Sequence, residues 1–243
     1  MASLLSGRYN PVLLELMTGL IALTVASLML WLWLEASPVV PLASIVTFLM
    51  LAGLILHFIP DRSRWLGWAN RITLARGILI AMLAGALADP SLLASHSLPL
   101  VSLATLALLL DGVDGWIARR TRTDSSFGAY FDMELDAFFI LVLCLALIVL
   151  GKVGPWVVLI GTMRYAFIIA GLRLTWLQHP LPQSQRRKAV CVWQVAALML
   201  ALLPMIDATV AAWLAATALA GLVGSFGLDV GWLYRHARAC PFD

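Results

Sequence analysis

Charge is what this chain has least of. Asp, Glu, Lys and Arg make up 12% of its 243 residues, against roughly 25% in an ordinary soluble domain. That scarcity, with a mean hydropathy of +0.95, excludes a water-soluble globular body and reads as a polytopic membrane protein. No contiguous basic stripe with interleaved aromatics is present, which argues against a nucleic-acid partner. Cysteine is also scarce. Cys144, Cys191 and Cys240 are odd in number, far apart and without C-x-x-C spacing. This excludes a disulfide framework and a thiolate metal site. Cys144 and Cys191 lie in apolar runs and read as packing residues. A cleavable leader is not expected either: the first apolar run is too long for a signal core, and no small-x-small site follows it. No repeat of 20–50 residues is evident, and no apolar/polar alternation marks a strand.

What the chain has instead is long apolar runs. Eight approach the ~20 residues that cross a bilayer: roughly 12–34, 39–59, 72–88, 97–117, 130–150, 154–174, 189–204 and 208–228. Their length and lack of alternation predict helices, so the expected fold is an all-α, polytopic membrane helix bundle. Basic residues divide unevenly between the two sides. Fourteen of the 16 Lys and Arg fall on one side, Lys152 alone falls on the other, and Arg164 lies within a span. By the positive-inside rule, both termini and the basic-rich side are expected to be cytoplasmic. The segment Asp61–Arg71 mixes arginine with Trp65 and Trp68 and suits an interfacial helix or an aromatic-belt loop. Pro38, Pro41, Pro180 and Pro182 mark turns, with His179 a solvated residue in the last of these loops. Glu15, inside the first run, calls for a basic partner or a place near the headgroups.

Against this background, four aspartates stand out. Asp111 and Asp114 are spaced i,i+3, and Asp132 and Asp136 are spaced i,i+4, so each pair shares one helical face. Gly128 lies one turn before Asp132, while Gly115 and Ala118 continue the first acidic face. Such small residues admit a ligand or a neighbouring helix. A short turn joins the two runs, so all four carboxylates are expected to converge at the cytoplasmic edge. Ionised groups are costly at a membrane helix end without a partner. Hard oxygen ligands in this number favour Mg²⁺ or Mn²⁺, with room for two ions clamping a phosphoryl group. Glu134 is about 200° from Asp132 on a wheel of ~100° per residue and is expected to point elsewhere. Asp124 reads as a solvated turn residue.

Asp111, Asp114, Gly115, Ala118, Arg119, Gly128, Asp132 and Asp136 follow the pattern D-x-x-D-G-x-x-A-R, eight residues, G-x-x-x-D-x-x-x-D. This resembles the signature of the CDP-alcohol phosphotransferase (CDP-alcohol phosphatidyltransferase) family over roughly residues 65–228. Upstream, Asn70, Thr73 and Arg76 match more weakly the family's N-x-x-T-x-x-R opening of its first core helix. The resemblance implies a six-helix catalytic core at 61–232, preceded by a two-helix extension at 1–60 and followed by a tail at 233–243. It also implies phospholipid synthesis: transfer of a substituted phosphate group, with a phosphatidyl group from CDP-diacylglycerol the expected case, to an alcohol hydroxyl with release of CMP. Asp111, Asp114 and Asp132 would be metal ligands. Asp136 would serve both beside the metal and as the general base. Gly115, Ala118, Arg119 and Gly128 would line the CDP site.

Members that use a phosphorylated polyol place basic residues in a later helix and the loop after it, where Arg164, Arg173 and Lys188 fall here. An acceptor such as glycerol 3-phosphate is therefore one reading. Pairing of Arg164 with Glu134, lipid-headgroup binding, or a topological role for Lys188 is the other. The expected location is a multi-pass membrane protein (the inner membrane if the source is bacterial), with a homodimer left open. Two other functions use similar residues. Intramembrane Mg²⁺-dependent prenyltransferases also carry aspartate motifs, but with a third acid where Ala118 stands. A non-catalytic ion-binding or transport protein would place its acids nearer the bilayer midplane.

Overall fold

The computed structural model describes residues 11–59, 67–121, 126–179, 182 and 184–239. Those residues form nine α-helices and no strand. The helices are α1 (Pro11–Leu34), α2 (Val39–Phe58), α3 (Gly67–Ala86), α4 (Pro90–Ser95), α5 (Ser97–Thr121), α6 (Ser126–Val149), α7 (Val158–Arg173), α8 (Gln185–Leu202) and α9 (Ala208–Ala239). Short 3₁₀ turns at Pro155–Val157 and Thr175–Gln178 flank α7. The all-α expectation holds, and each of the eight apolar runs is a helix. Only α4 has no counterpart among them.

Among the described residues, four helical segments are long and apolar enough to cross a membrane: Pro11–Leu34, Val39–Phe58, Pro155–Arg173 and Ala208–Arg235. The helices outside that set, apart from the short α4, are α3, α5, α6 and α8, and each carries two or more charged residues. Helices also run past the apolar runs. α3 starts at Gly67 rather than near 72, and α6 at Ser126 rather than near 130. A helix needs apolar residues only where lipid surrounds it, so hydropathy finds the membrane limits and not the helix ends. Trp68, Asn70 and Arg71 lie within α3, while 61–66, the rest of the segment read as an interfacial helix or an aromatic-belt loop, lie outside the described residues.

The chain divides into two compact units, Met1–Asp136 and Ala137–Asp243. In the first, α1 and α2 pack on α3, and α3 packs on α5. Buried positions on α1 are Val12, Glu15, Leu16, Gly19, Leu23, Ser27 and Leu34, one stripe at helical spacing. The opposite face presents Leu13, Met17, Ile21, Val25, Leu28, Leu32 and Trp33 to the outside. Bulky apolar residues thus face outward while a carboxylate, a glycine and a serine face inward, the arrangement lipid solvation favours. α2 shows the same inversion, with Ser44, Phe48, Ala52 and Ile55 inside and Leu42, Val46, Leu49 and Met50 outside. Val12, Leu16, Leu23, Phe48, Ile55, Leu74, Ala81 and Phe131 form the shared core.

The α1–α2 hairpin is tied to α3 by polar contacts near both ends of that helix. Glu15, its side chain 9% exposed, accepts from Arg71 Nε at 2.8 Å and Nη2 at 2.7 Å, which answers the sequence's question about its partner. Asp89, just past the far end of α3, accepts from the Ser37 N–H at 2.8 Å. It also caps α4 through the Leu92 N–H at 3.1 Å. Between these ties α2 and α3 approach so closely at Gly85 that a Cβ there would lie 2.7 Å from the Val40 carbonyl oxygen.

In the second unit α8 pairs with α9, and α7 packs on α9. The end of α6 is set by Gly151 at φ +66°. The Gly151 N–H donates to Ile148 O at 2.9 Å, and the Lys152 N–H to Leu147 O at 3.0 Å. This is a Schellman stop that only a residue at ease in the left-handed region adopts without strain. Lys152 Nζ then donates to three carbonyls at the end of α8: Ala201 at 3.1 Å, Leu203 at 2.6 Å and Ile206 at 2.9 Å. Burial pulls this ammonium below the usual lysine pKa, opposed by Asp207. Arg186 ties the other end of the pair, donating to Ser225 O at 2.7 Å and Asp229 Oδ1 at 2.5 Å. Cys144 is buried in α6, as a packing residue should be, whereas Cys191 is exposed on α8.

Candidate active site

Three of the four signature aspartates meet in the first unit. Asp111 stands in the C-terminal half of α5, and Asp132 and Asp136 are one turn apart on α6. One carboxylate oxygen from each lies within 4.8 Å of the others. Among the described residues no other group of His, Cys, Asp or Glu has this property. The i,i+4 spacing on α6 puts both of its acids on one face, and Asp111 of α5 lies alongside them. Asp114, Gly115, Ala118 and Arg119 lie on the helical backbone of α5, but their side chains are outside those described. So is Asp124 altogether. Gly128 is half-buried on α6, one turn before Asp132. Glu134 does not join the three carboxylates, in line with its place on the helical wheel.

The residue that the acidic pattern alone does not reveal is Arg76. It projects from the middle of α3 into the carboxylate cluster. Nη1 lies 2.9 Å from Asp111 Oδ1 and also contacts Asp132 Oδ1, while Nη2 lies 2.6 Å from Asp136 Oδ1. Its side chain is 2% exposed, against 34%, 39% and 37% for the three acids. The guanidinium therefore forms the floor of the site and the carboxylates form its open mouth. A planar fork with five donors suits this multiple engagement, which a lysine could not reproduce. A signal for Arg76 was available in the sequence. Asn70, Thr73 and Arg76 recur at i, i+3 and i+6 on one face, and Thr73 and Arg76 are both buried.

Charge balance tells what this arrangement is fit for. Among the described residues one guanidinium faces three carboxyl groups, so acid is in excess at a mouth that remains about one-third open. Buried or half-buried negative charge needs compensation, which a divalent cation can supply. The donor set of hard carboxylate oxygens suits Mg²⁺ or Mn²⁺. The residues present thus fit a divalent metal.

The basic residues read as acceptor-binding candidates lie in the second unit. Arg164 is half-buried in the middle of α7, Arg173 is exposed in its last turn, and Lys188 is exposed on the first turns of α8. Lys188 lines an open surface groove of about 550 Å³ with Gln185, Ala189, Val192, Trp193 and Ala196.

No solved structure matches the chain significantly. The family model for CDP-alcohol phosphatidyltransferase matches residues 66–223, a span that starts beside α3, covers the whole carboxylate cluster with Arg76, and ends within α9. With about two-thirds of its length in that match, the chain belongs to the CDP-alcohol phosphatidyltransferase family.

Proposed function

We propose that this protein transfers a phosphatidyl group from CDP-diacylglycerol to the hydroxyl of an alcohol, releasing CMP. The observation that carries the reading is the convergence of the Asp111, Asp132 and Asp136 oxygens at one mouth about one-third open, where the carboxyl groups outnumber the guanidinium described among them. Membership of the family supplies the reaction class. In the proposed reaction the acceptor oxygen forms a bond to the phosphorus that carries the diacylglycerol. The bond from that phosphorus to the oxygen bridging to cytidine monophosphate breaks, and CMP departs with the electron pair. Asp136 takes the proton from the attacking hydroxyl. It is suited to this because it sits at the mouth among other carboxylates with one oxygen steadied by Arg76, and a base must reach the attacking atom.

Asp111, Asp114, Asp132 and Asp136 would hold Mg²⁺ or Mn²⁺, as two ions in the full reading. When bound, the metal neutralises charge on the transferring phosphate and on the departing CMP. Gly115, Ala118, Arg119 and Gly128 would receive the cytidine diphosphate portion, the small residues leaving space and Arg119 offering a guanidinium to phosphate. Arg164, Arg173 and Lys188 would favour an acceptor that itself carries phosphate, such as glycerol 3-phosphate. In the same reading all eight long helices span the bilayer and the site opens on the cytoplasmic side.

The test is CMP release by the purified protein from CDP-diacylglycerol with Mg²⁺ or Mn²⁺. The acceptor panel covers polyols, polyol phosphates and amino alcohols. Release with one acceptor class is expected. Absence of release with every acceptor and either metal removes the proposal. If the acceptor is phosphorylated, Arg164→Ala raises its apparent KM with little change in that for the donor, and an unchanged acceptor KM rejects the phosphate role for Arg164.

A further inference from the structure

Arg76 touches the same carboxylate oxygens that would bind a divalent ion, and it does so from the closed side of the site. Its contacts reach all three acids, on two different helices, from a third. We propose that Arg76 is a resident counter-cation that competes with the metal. It clamps α3, α5 and α6 together through Asp111, Asp132 and Asp136 when no ion is bound, and gives up part of these contacts as an ion loads. This inference rests on the metal-assisted reading above.

The physical grounds are three. Three carboxylates this close repel one another, and without Arg76 nothing among the described groups of the cluster offsets them. Like charges within ~4 Å repel strongly even at the effective dielectric of a protein surface, so a guanidinium and a divalent ion cannot both sit at full strength on these oxygens. The burial of Arg76 also limits where it can go. At 2% exposure the side chain cannot swing out to water, so release means yielding individual carboxylates while the guanidinium stays on the floor. Arg76 is thus a positioning residue. It keeps the acids aligned in the metal-free protein and sets how tightly the ion binds, which allows the ion to be exchanged.

The measurement is Mn²⁺ binding to the purified full chain in lipid nanodiscs, by electron paramagnetic resonance of the free ion, with thermal unfolding of each metal-free variant alongside. Arg76→Gln removes the competing charge and keeps a polar side chain. It should bind Mn²⁺ at least about tenfold more tightly than wild type. It should also unfold at lower temperature without metal and recover a larger share of stability when Mn²⁺ is added. Arg76→Lys keeps the charge but loses the fork, so it should bind more tightly than wild type by a smaller factor, and it serves where the glutamine variant does not fold. A residue that merely braced the site would, when replaced, weaken Mn²⁺ binding. Equal or weaker affinity in the substituted protein therefore overturns the proposal while leaving the metal reading intact. If neither wild type nor variant binds Mn²⁺, the metal reading falls and the competition with it. Asp132→Asn, in contrast, should weaken Mn²⁺ in both backgrounds, which locates the measured ion at this cluster.

Discussion

Two cations in this molecule are each held by three oxygens from other parts of the chain, and they do different things. Arg76 in the first unit faces three carboxylates. Lys152 in the second faces three backbone carbonyls at the end of α8. Carbonyls at and just beyond a helix C-terminus are neutral dipoles, so the ammonium hydrogen-bonds to them while its own charge is met by nearby Asp207. Carboxylates carry charge of their own, and among the described residues a single guanidinium faces three of them. Counting hydrogen bonds makes the two sites alike. The chemistry of those oxygens separates a structural cap from a cluster whose donor set could hold a divalent ion.

The comparison is broken most severely at Asp136. Replacing it with Asn removes an ionisable carboxyl from the cluster and, in the proposed reaction, the group that takes the hydroxyl proton. Turnover should fall by about 10²–10⁴-fold, the usual worth of a positioned general base, while binding of CDP-diacylglycerol stays near that of wild type. Initial rates of CMP release and a separate donor-binding titration check this. Near-normal turnover would assign the base elsewhere.

The next largest effect belongs to the other cation. Lys152→Met should cost about 1–2 kcal/mol of stability, because charged hydrogen bonds to the orphan carbonyls of α8 are lost. It should leave Mn²⁺ affinity and CMP release per folded molecule unchanged. Unfolding temperature and Mn²⁺ titration, done on the same preparation, give both readouts. A variant that unfolds earlier and also loses metal would erase the distinction drawn between the two sites.

The contrast between these sites also explains what was legible in the sequence. The acids announced themselves because charge in an apolar chain is conspicuous and because i,i+3 and i,i+4 spacing fixes a common face before any fold is known. Eight helices followed from run length alone. Arg76 was harder to see for the converse reason. In the sequence it is the last position of the weaker N-x-x-T-x-x-R match, and only the packing of α3 on α5 carries it under the acids. Glu15 looked anomalous as a carboxylate in the first apolar run, and only the approach of α1 to α3 supplies Arg71. Lys152 was counted as the lone basic residue on its side, a fact about topology, while its three carbonyl partners come from residues about 50 positions later. The carbonyls of a helix end carry no residue-type signature, so composition could not point to them. Residues whose role depends on their own chemistry and local spacing were readable, and residues whose role depends on a distant partner were not.

The smallest effect sharpens the comparison from the side of an anion. Asp89 is the mirror image of Lys152: a carboxylate outside the membrane-spanning runs that is held by neutral donors. The Ser91 hydroxyl, then the Ser37 N–H, then the Leu92 N–H, pull its pKa below the ordinary aspartate value. A depressed carboxylate pKa adds stability that is fully present above the unfolded-state value of about 3.9 and is lost as pH falls through the lower folded-state value. The contacts at stake join the α1–α2 turn to the start of α4, and loss of such a cap costs about 1 kcal/mol. Asp89→Asn should therefore be less stable than wild type at neutral pH by about that amount. The gap should close as the pH is taken below about 4, because the wild-type carboxyl becomes neutral there too. Thermal unfolding of both proteins across a pH series, compared as a difference, isolates this group from the other carboxylates. If the two curves stay parallel down to low pH, the tie between the hairpin and α4 does not depend on the charge of Asp89. The site would then resemble Lys152 only in geometry and not in how it stabilises the fold.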